Sequence, residues 1–282
     1  MRFRLAVGLV LVVMLVFLFR DSLQYLLSAN PVYFLYGVVF YILLNLILSF
    51  RIHYLLVKSG QHSEFIDVAK AHFAGMILGD FTPGRVGYFS APLFAQKYGM
   101  NADAFMGVIL SSQAVELVVK IFGASLAVVY FLKPEEIYLL ALPALLTVAA
   151  IIYLWSDIPP DIGRLREIRI HARKTARHTP FIVLISLAGW LLTGLQWYYL
   201  FLSAGIDAKF VQAMLIQPLA TLLMFVPLTP AGLGVFESGS ALLVSAISSN
   251  LNAGVAHSIL VRVSTVAADL PGLAVVMEKR GS

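Results

Sequence analysis

Cysteine is absent from the 282 residues, which excludes disulfides, thiolate nucleophiles and Cys-ligated metal centres. Charge is scarce as well. Asp, Glu, Lys and Arg make up 12% of the chain, about half the share of an ordinary soluble domain, while hydrophobic residues reach 60%. Water is thereby excluded as the main solvent. The six His (His53, His62, His72, His171, His178 and His257) are scattered without the H-E-x-x-H spacing of a metal site. Neither a G-x-S-x-G elbow nor a phosphate-binding P-loop occurs. We therefore expect no cofactor, no metal and no catalytic constellation. The net charge of +5 does not point to nucleic acid, because Lys and Arg cluster at the ends of apolar runs, where they report membrane orientation.

What is present is a succession of apolar runs near the ~20 residues that cross ~30 Å of hydrocarbon. Residues 5–19 follow Arg2 and Arg4, lack a small-residue cleavage site and end at Arg20-Asp21, which reads as a retained first span. Further spans are predicted at 31–57, closed by Arg51 and Lys58, and at 103–132, 137–155, 180–202 and 253–276. Two other stretches, 64–98 and 210–248, are interrupted by TPGRVGYF (82–89) and PLTPAGLG (227–234) and read as re-entrant pairs of half-helices. The polar stretch 156–178 carries Arg164, Arg166, Arg169, Arg173, Lys174 and Arg177 and marks its side as cytoplasmic. It reads either as an amphipathic helix on anionic headgroups or as a solvated basic loop. The expectation is an all-α, polytopic transmembrane bundle in the cell membrane, with about six full spans, two re-entrant segments and both termini cytoplasmic. It forms one integral membrane domain over 1–282, with a first half at 1–155, a basic cytoplasmic linker at 156–178 and a second half at 179–282.

The two interruptions share a pattern. Thr82, Pro83, Val86, Gly87 and Phe89 align with Thr229, Pro230, Leu233, Gly234 and Phe236. Each copy leads to an Asn-Ala pair, Asn101-Ala102 and Asn252-Ala253, and then to a span with a glycine at matching depth, Gly123 and Gly272. Three predicted crossings separate the copies, so the second is inverted in the membrane, the plan in which broken helix tips meet at mid-depth and build a substrate site. Breaks at Pro and Gly leave amide N–H groups free and expose the positive end of a helix dipole, where an anionic group can dock.

Ionisable side chains within apolar runs are costly and are candidates for function. Asp80 and Arg85 flank the first tip and Glu237 follows the second. Glu116 and Lys120 have i,i+4 spacing, which favours a self-neutralising pair. Arg262 and Asp269 lie on the last span. A guanidinium suits phosphate, so Arg262 is the first candidate for a phosphate contact, with a structural pair to Glu237 or Asp269 as the alternative.

At TPGRVGYF and LTPAGLGVFES the chain resembles the lysylphosphatidylglycerol synthase transmembrane-region family, described as flippase-like integral membrane proteins, over nearly its whole length. The resemblance carries over onto Pro83, Gly84, Arg85 and Gly87 in the first half, and onto Pro230, Gly232, Gly234, Glu237 and Arg262 in the second. Three departures stand out: Tyr88 where an acidic residue is common, Ala231 in place of a glycine, and Ser112-Gln113 in place of a Glu-Arg pair. The family implies lipid translocation, with an anionic phospholipid or lipid-linked headgroup as cargo and a separate cytoplasmic synthase as a candidate partner. Two further functions fit the sequence: a membrane-embedded transferase acting on lipid phosphates, and a membrane scaffold for a cytoplasmic enzyme.

Overall fold

The computed structural model describes residues 22–131, 133–156, 163–224 and 235–278. The predicted span at 5–19 and the second tip, with Pro230, Gly232 and Gly234, lie outside the described residues. Everything regular is helical: α1 Ser22–Leu27, α2 Pro31–Lys58, α3 Phe65–Asp80, a 3-10 segment Pro83–Ser90, α4 Ala91–Lys97 and α5 Ala102–Phe131. A second 3-10 segment, Pro134–Leu140, leads into α6 Ala141–Trp155, followed by α7 Arg164–Ala176, α8 Thr179–Ser203, α9 Phe210–Met224, α10 Val235–Ser248, α11 Leu251–Asp269 and α12 Pro271–Met277.

Five of these stretches (Pro31–Lys58, Ala102–Phe131, Pro134–Trp155, Thr179–Ser203 and Leu251–Asp269) are long and apolar enough to cross a membrane. Each falls on a span predicted from sequence. Their outer faces are apolar: Leu142, Leu145 and Leu146 of α6 are 65%, 66% and 60% exposed, a surface suited to lipid and not to water. The protein is a polytopic α-helical integral membrane protein.

Local signals set the helix ends. Asn30 accepts hydrogen bonds from the Val32 and Tyr33 amides, with Pro31 in the first turn, where its missing N–H costs nothing. Asn101 caps α5 through the Asp103 and Ala104 amides, and Asn250 caps α11 through Ala253. The structural counterpart of Asn101 is therefore Asn250 and not Asn252, which contacts Ser22 instead. Gly123 and Gly272 stand equally far along the chain from these two caps. The last predicted span is not continuous, because α11 ends at Asp269 and Pro271, which has no amide to donate, opens α12.

Among the described residues, a long span followed by a shorter helix, and then a shorter helix followed by a long span, occur in that order twice, in α2–α5 and α8–α11. Contacts between the copies are reciprocal. α5 packs on α8 and α9 as α11 packs on α2 and α3, while α2 and α8 pack on each other. The basic stretch forms a helix, α7, which excludes the solvated-loop alternative. Its inner face is fixed to α5, since a Cβ on Gly107 would lie 2.4 Å from the Ile168 carbonyl oxygen and Ser111 Oγ lies 2.5 Å from Thr175 Oγ1. Arg164, Arg166, Lys174 and Arg177 remain exposed.

Small residues on α3 admit its neighbours closely. A Cβ added at Gly272 would stand 2.1 Å from the Phe73 carbonyl oxygen, so α12 rests on the backbone of α3. This contact brings the end of α11 beside the end of α3. Gly272→Ala is expected to destabilise the fold by about 1–3 kcal/mol through overpacking against backbone that cannot yield. Thermal unfolding in detergent reads this directly, and an unchanged transition would refute the close approach.

Candidate functional site

The first interruption is a hairpin. α3 and the 3-10 segment lie against each other, and Gly87 allows it, because a Cβ there would be 2.3 Å from the Leu78 carbonyl oxygen. Thr82 staples the turn: its Oγ1 accepts from the Gly87 amide at 2.6 Å, and its carbonyl accepts from the Arg85 amide at 3.1 Å. The expectation that this tip presents free amides is therefore corrected for both residues, whose N–H groups are consumed inside the turn. Arg85 itself adopts a φ of 56°, a left-handed conformation uncommon for a residue other than glycine.

Charge gathers in three places. Arg85 Nη2 donates to Asp80 Oδ1 at 2.7 Å and lies 4.0 Å from Asp269 Oδ2, while Asn45 Nδ2 donates to Asp269 Oδ1 at 2.5 Å. The Tyr41 hydroxyl stands 3.5 Å from both terminal nitrogens of Arg85. Glu116 is held between two cations, with Lys120 Nζ at 2.8 Å and Arg51 Nη2 at 2.8 Å, and Arg51 Nη1 also donates to Ser186 at 3.1 Å. Arg262 Nε donates to Glu237 Oε1, and its guanidinium lies 5.7 Å from the Phe236 ring centroid. Tyr41 and Asn45 sit near the midpoint of α2, and Glu116 near that of α5, so the first two groups lie deep in the bundle.

A cavity of about 410 Å³ connects these elements, within the ~300–1,000 Å³ of typical ligand sites. Its charged lining among the described residues is Arg85, Glu116 and Lys120, and Gln113, Gln196 and Gln217 add amides. The rest of its wall is largely aliphatic and aromatic, drawn from both halves of the chain. Phe236, Val261 and Thr265 belong to that wall, whereas Arg262 and Glu237 do not.

The sequence profile described as lysylphosphatidylglycerol synthase TM region matches residues 4–271, nearly the full length. The chain belongs to that family. A second similarity is to a UPF0104 membrane protein of Methanocaldococcus jannaschii, 36% identical over 58 residues, which is 21% of this chain. The match spans about a quarter (25%) of that relative's length.

In this member of the lysylphosphatidylglycerol synthase transmembrane family, the candidate residues separate. Asp80, Arg85 and Asp269 come together, and Glu116 and Lys120 form the ion pair their spacing predicts. Of the two readings of Arg262, a phosphate contact or a pair with Glu237 or Asp269, the structure shows the pair with Glu237. Arg51 was read as the charge closing the second span, yet it is 1% exposed and joins the Glu116 group from within α2. Tyr41 and Asn45 were also missed. Their signal was a stripe of Tyr41, Asn45 and Ser49 at i,i+4 spacing inside an apolar run, which places three polar groups on one buried face.

Glu116 carries the negative charge between two cations, so Glu116→Ala should destabilise the protein by about 3–5 kcal/mol, the cost of leaving buried charge uncompensated. Chemical unfolding in detergent measures this. Glu116→Gln should lose less, because the amide keeps the shape and one acceptor, and equal stability of all three proteins would show the trio to be idle.

Proposed function

We propose that this protein moves the anionic headgroup of a phospholipid or lipid-linked phosphate across the cell membrane. The headgroup passes through the cavity between the two halves while the acyl chains remain in lipid. The observation that carries this reading is one buried group with surplus positive charge: Arg51 and Lys120 outnumber Glu116, and Lys120 lines the cavity, as does Arg85. An unbalanced cation in hydrocarbon is costly, and an arriving anion offsets that cost. α6 packs chiefly on α5 and α7 and supplies the lateral wall through Leu146, Thr147 and Ala150.

The duplicated element order and reciprocal contacts support two inverted copies whose tips are re-entrant, with α7 and both termini on the cytoplasmic side. The exposed cations of α7 then face anionic headgroups, on the side where a separate synthase would deliver its product. Membership of the lysylphosphatidylglycerol synthase transmembrane family supports a role in lipid metabolism or transport.

In proteoliposomes carrying a labelled anionic phospholipid, Lys120→Ala and Arg85→Ala should each slow translocation about ten- to a hundredfold, the loss of one charge-assisted contact. Arg262→Ala should act more weakly if its pairing with Glu237 is structural, and abolition of transport would return it to the path. Unchanged rates in the first two variants would refute the reading, and formation of a new lipid product by the purified protein would favour the transferase.

A further inference from the structure

Around Arg85 the charges do not balance. One guanidinium faces two carboxyl groups, Asp80 and Asp269, whose side chains are 7% and 0% exposed. Asp80 Oδ1 receives Arg85, and Asp269 Oδ1 receives the Asn45 amide at 2.5 Å. The second oxygen of each, Oδ2, is buried and accepts no hydrogen bond from any described residue. Both carboxyl groups crowd the same guanidinium nitrogen, Arg85 Nη2, at 2.7 Å from Asp80 Oδ1 and 4.0 Å from Asp269 Oδ2, which sets them side by side. Ionised carboxylates are acceptors only, so such a contact is repulsive unless one group carries a proton and donates.

Arg85 is the only described cation within 4 Å of either carboxyl group, and the surplus positive charge of the Arg51, Lys120 and Glu116 group lies against Glu116 instead. On α2 the facing groups are the Tyr41 phenol and the Asn45 amide. On α3 the nearest other titratable group is His72, whose Nδ1 lies 3.1 Å from the Tyr88 hydroxyl of the 3-10 segment. α12, α8 and α1 pack against this region or against α11 and carry no charged residue. The remaining cation of α11, Arg262, is joined to Glu237 of α10, and on α5 Glu116 and Lys120 pair with each other and with Arg51.

We propose that Asp80 and Asp269 share one proton in the folded protein at neutral pH, and that an anion docking on Arg85 adds a second. With one shared proton the cluster of Arg85, Asp80 and Asp269 is neutral. A monoanion that displaces Asp80 from the guanidinium would leave one net negative charge at depth, and uptake of a proton from water by the released Asp80 restores neutrality. Anion binding and proton uptake are thereby coupled. The second half of the proposal rests on the translocation reading; the first does not.

Infrared spectroscopy of the reconstituted full-length protein at neutral pH tests the first half without any substrate. The wild type should show a carboxylic-acid carbonyl band that shifts in heavy water. The band should vanish in Asp80→Asn and in Asp269→Asn and persist in the surface control Asp67→Asn. Asn matches the shape of a protonated Asp, and should Asp269→Asn fail to fold, Asp80→Asn alone decides. Absence of the band in the wild type, or its survival in both variants, would overturn the shared proton. Stabilisation by sodium ions that is lost in Asp80→Asn, with no such band, would overturn it in favour of a cation site.

The second half is read by translocation of the labelled anionic lipid as pH is lowered. Coupling to one proton strengthens anion binding up to about tenfold per pH unit in the wild type and not in Asp80→Asn. Translocation that is indifferent to pH would overturn the coupling and leave the translocation reading standing. A wild type that holds the proton but moves no lipid would overturn translocation, and the coupling with it.

Discussion

Ionised side chains buried among hydrocarbon must neutralise one another, and the interior of this bundle is arranged around that requirement. Arg51, Glu116 and Lys120 tie α2 to α5, Arg85 and Asp80 close the α3 hairpin, Asn45 and Asp269 join α2 to the end of α11, and Glu237 with Arg262 joins α10 to α11. Each link crosses between helices that lipid alone would not hold together, since lipid tails are as apolar as the helix faces. Packing then follows from small residues that let backbones meet, as at Gly272 against Phe73 and Gly107 against Ile168.

Duplication turns these links into a chamber. The two sets of helices contact each other reciprocally, and the space left between them is lined by residues of both. At the first tip Thr82 accepts from the Gly87 and Arg85 amides, two of those that a broken helix would otherwise release. The charge at this tip is the Arg85 side chain, carried on a left-handed backbone position. The exterior is apolar, and these charged groups are gathered in the interior.

Much of the architecture was legible in the chain. Five apolar runs became five long helical stretches, three of them within one residue of the predicted bounds, with Asn30 and Pro31 setting one start as their chemistry predicts. The i,i+4 pair of Glu116 and Lys120 was equally readable, since it lies within one helix. The stop at Pro271 was missed because hydropathy averages over a break that one absent N–H imposes. The counterpart of Asn101 was misplaced by two residues because Asn250 and Asn252 are both asparagines near a helix start, and only backbone geometry shows which one caps.

By itself the sequence determined the solvent, the helical class, the position of the spans and the repetition of the Pro/Gly motif, because composition and periodicity act locally and need no partner. Only the tertiary structure decided which charges meet. Arg262 joins Glu237 while Asp269 joins Asn45 and Arg85, and Arg51 turns inward to Glu116 instead of closing a span. Those choices depend on how helices far apart in the chain are rotated about their axes, since an ion pair in a low-dielectric interior forms only where packing brings two faces within about 4 Å.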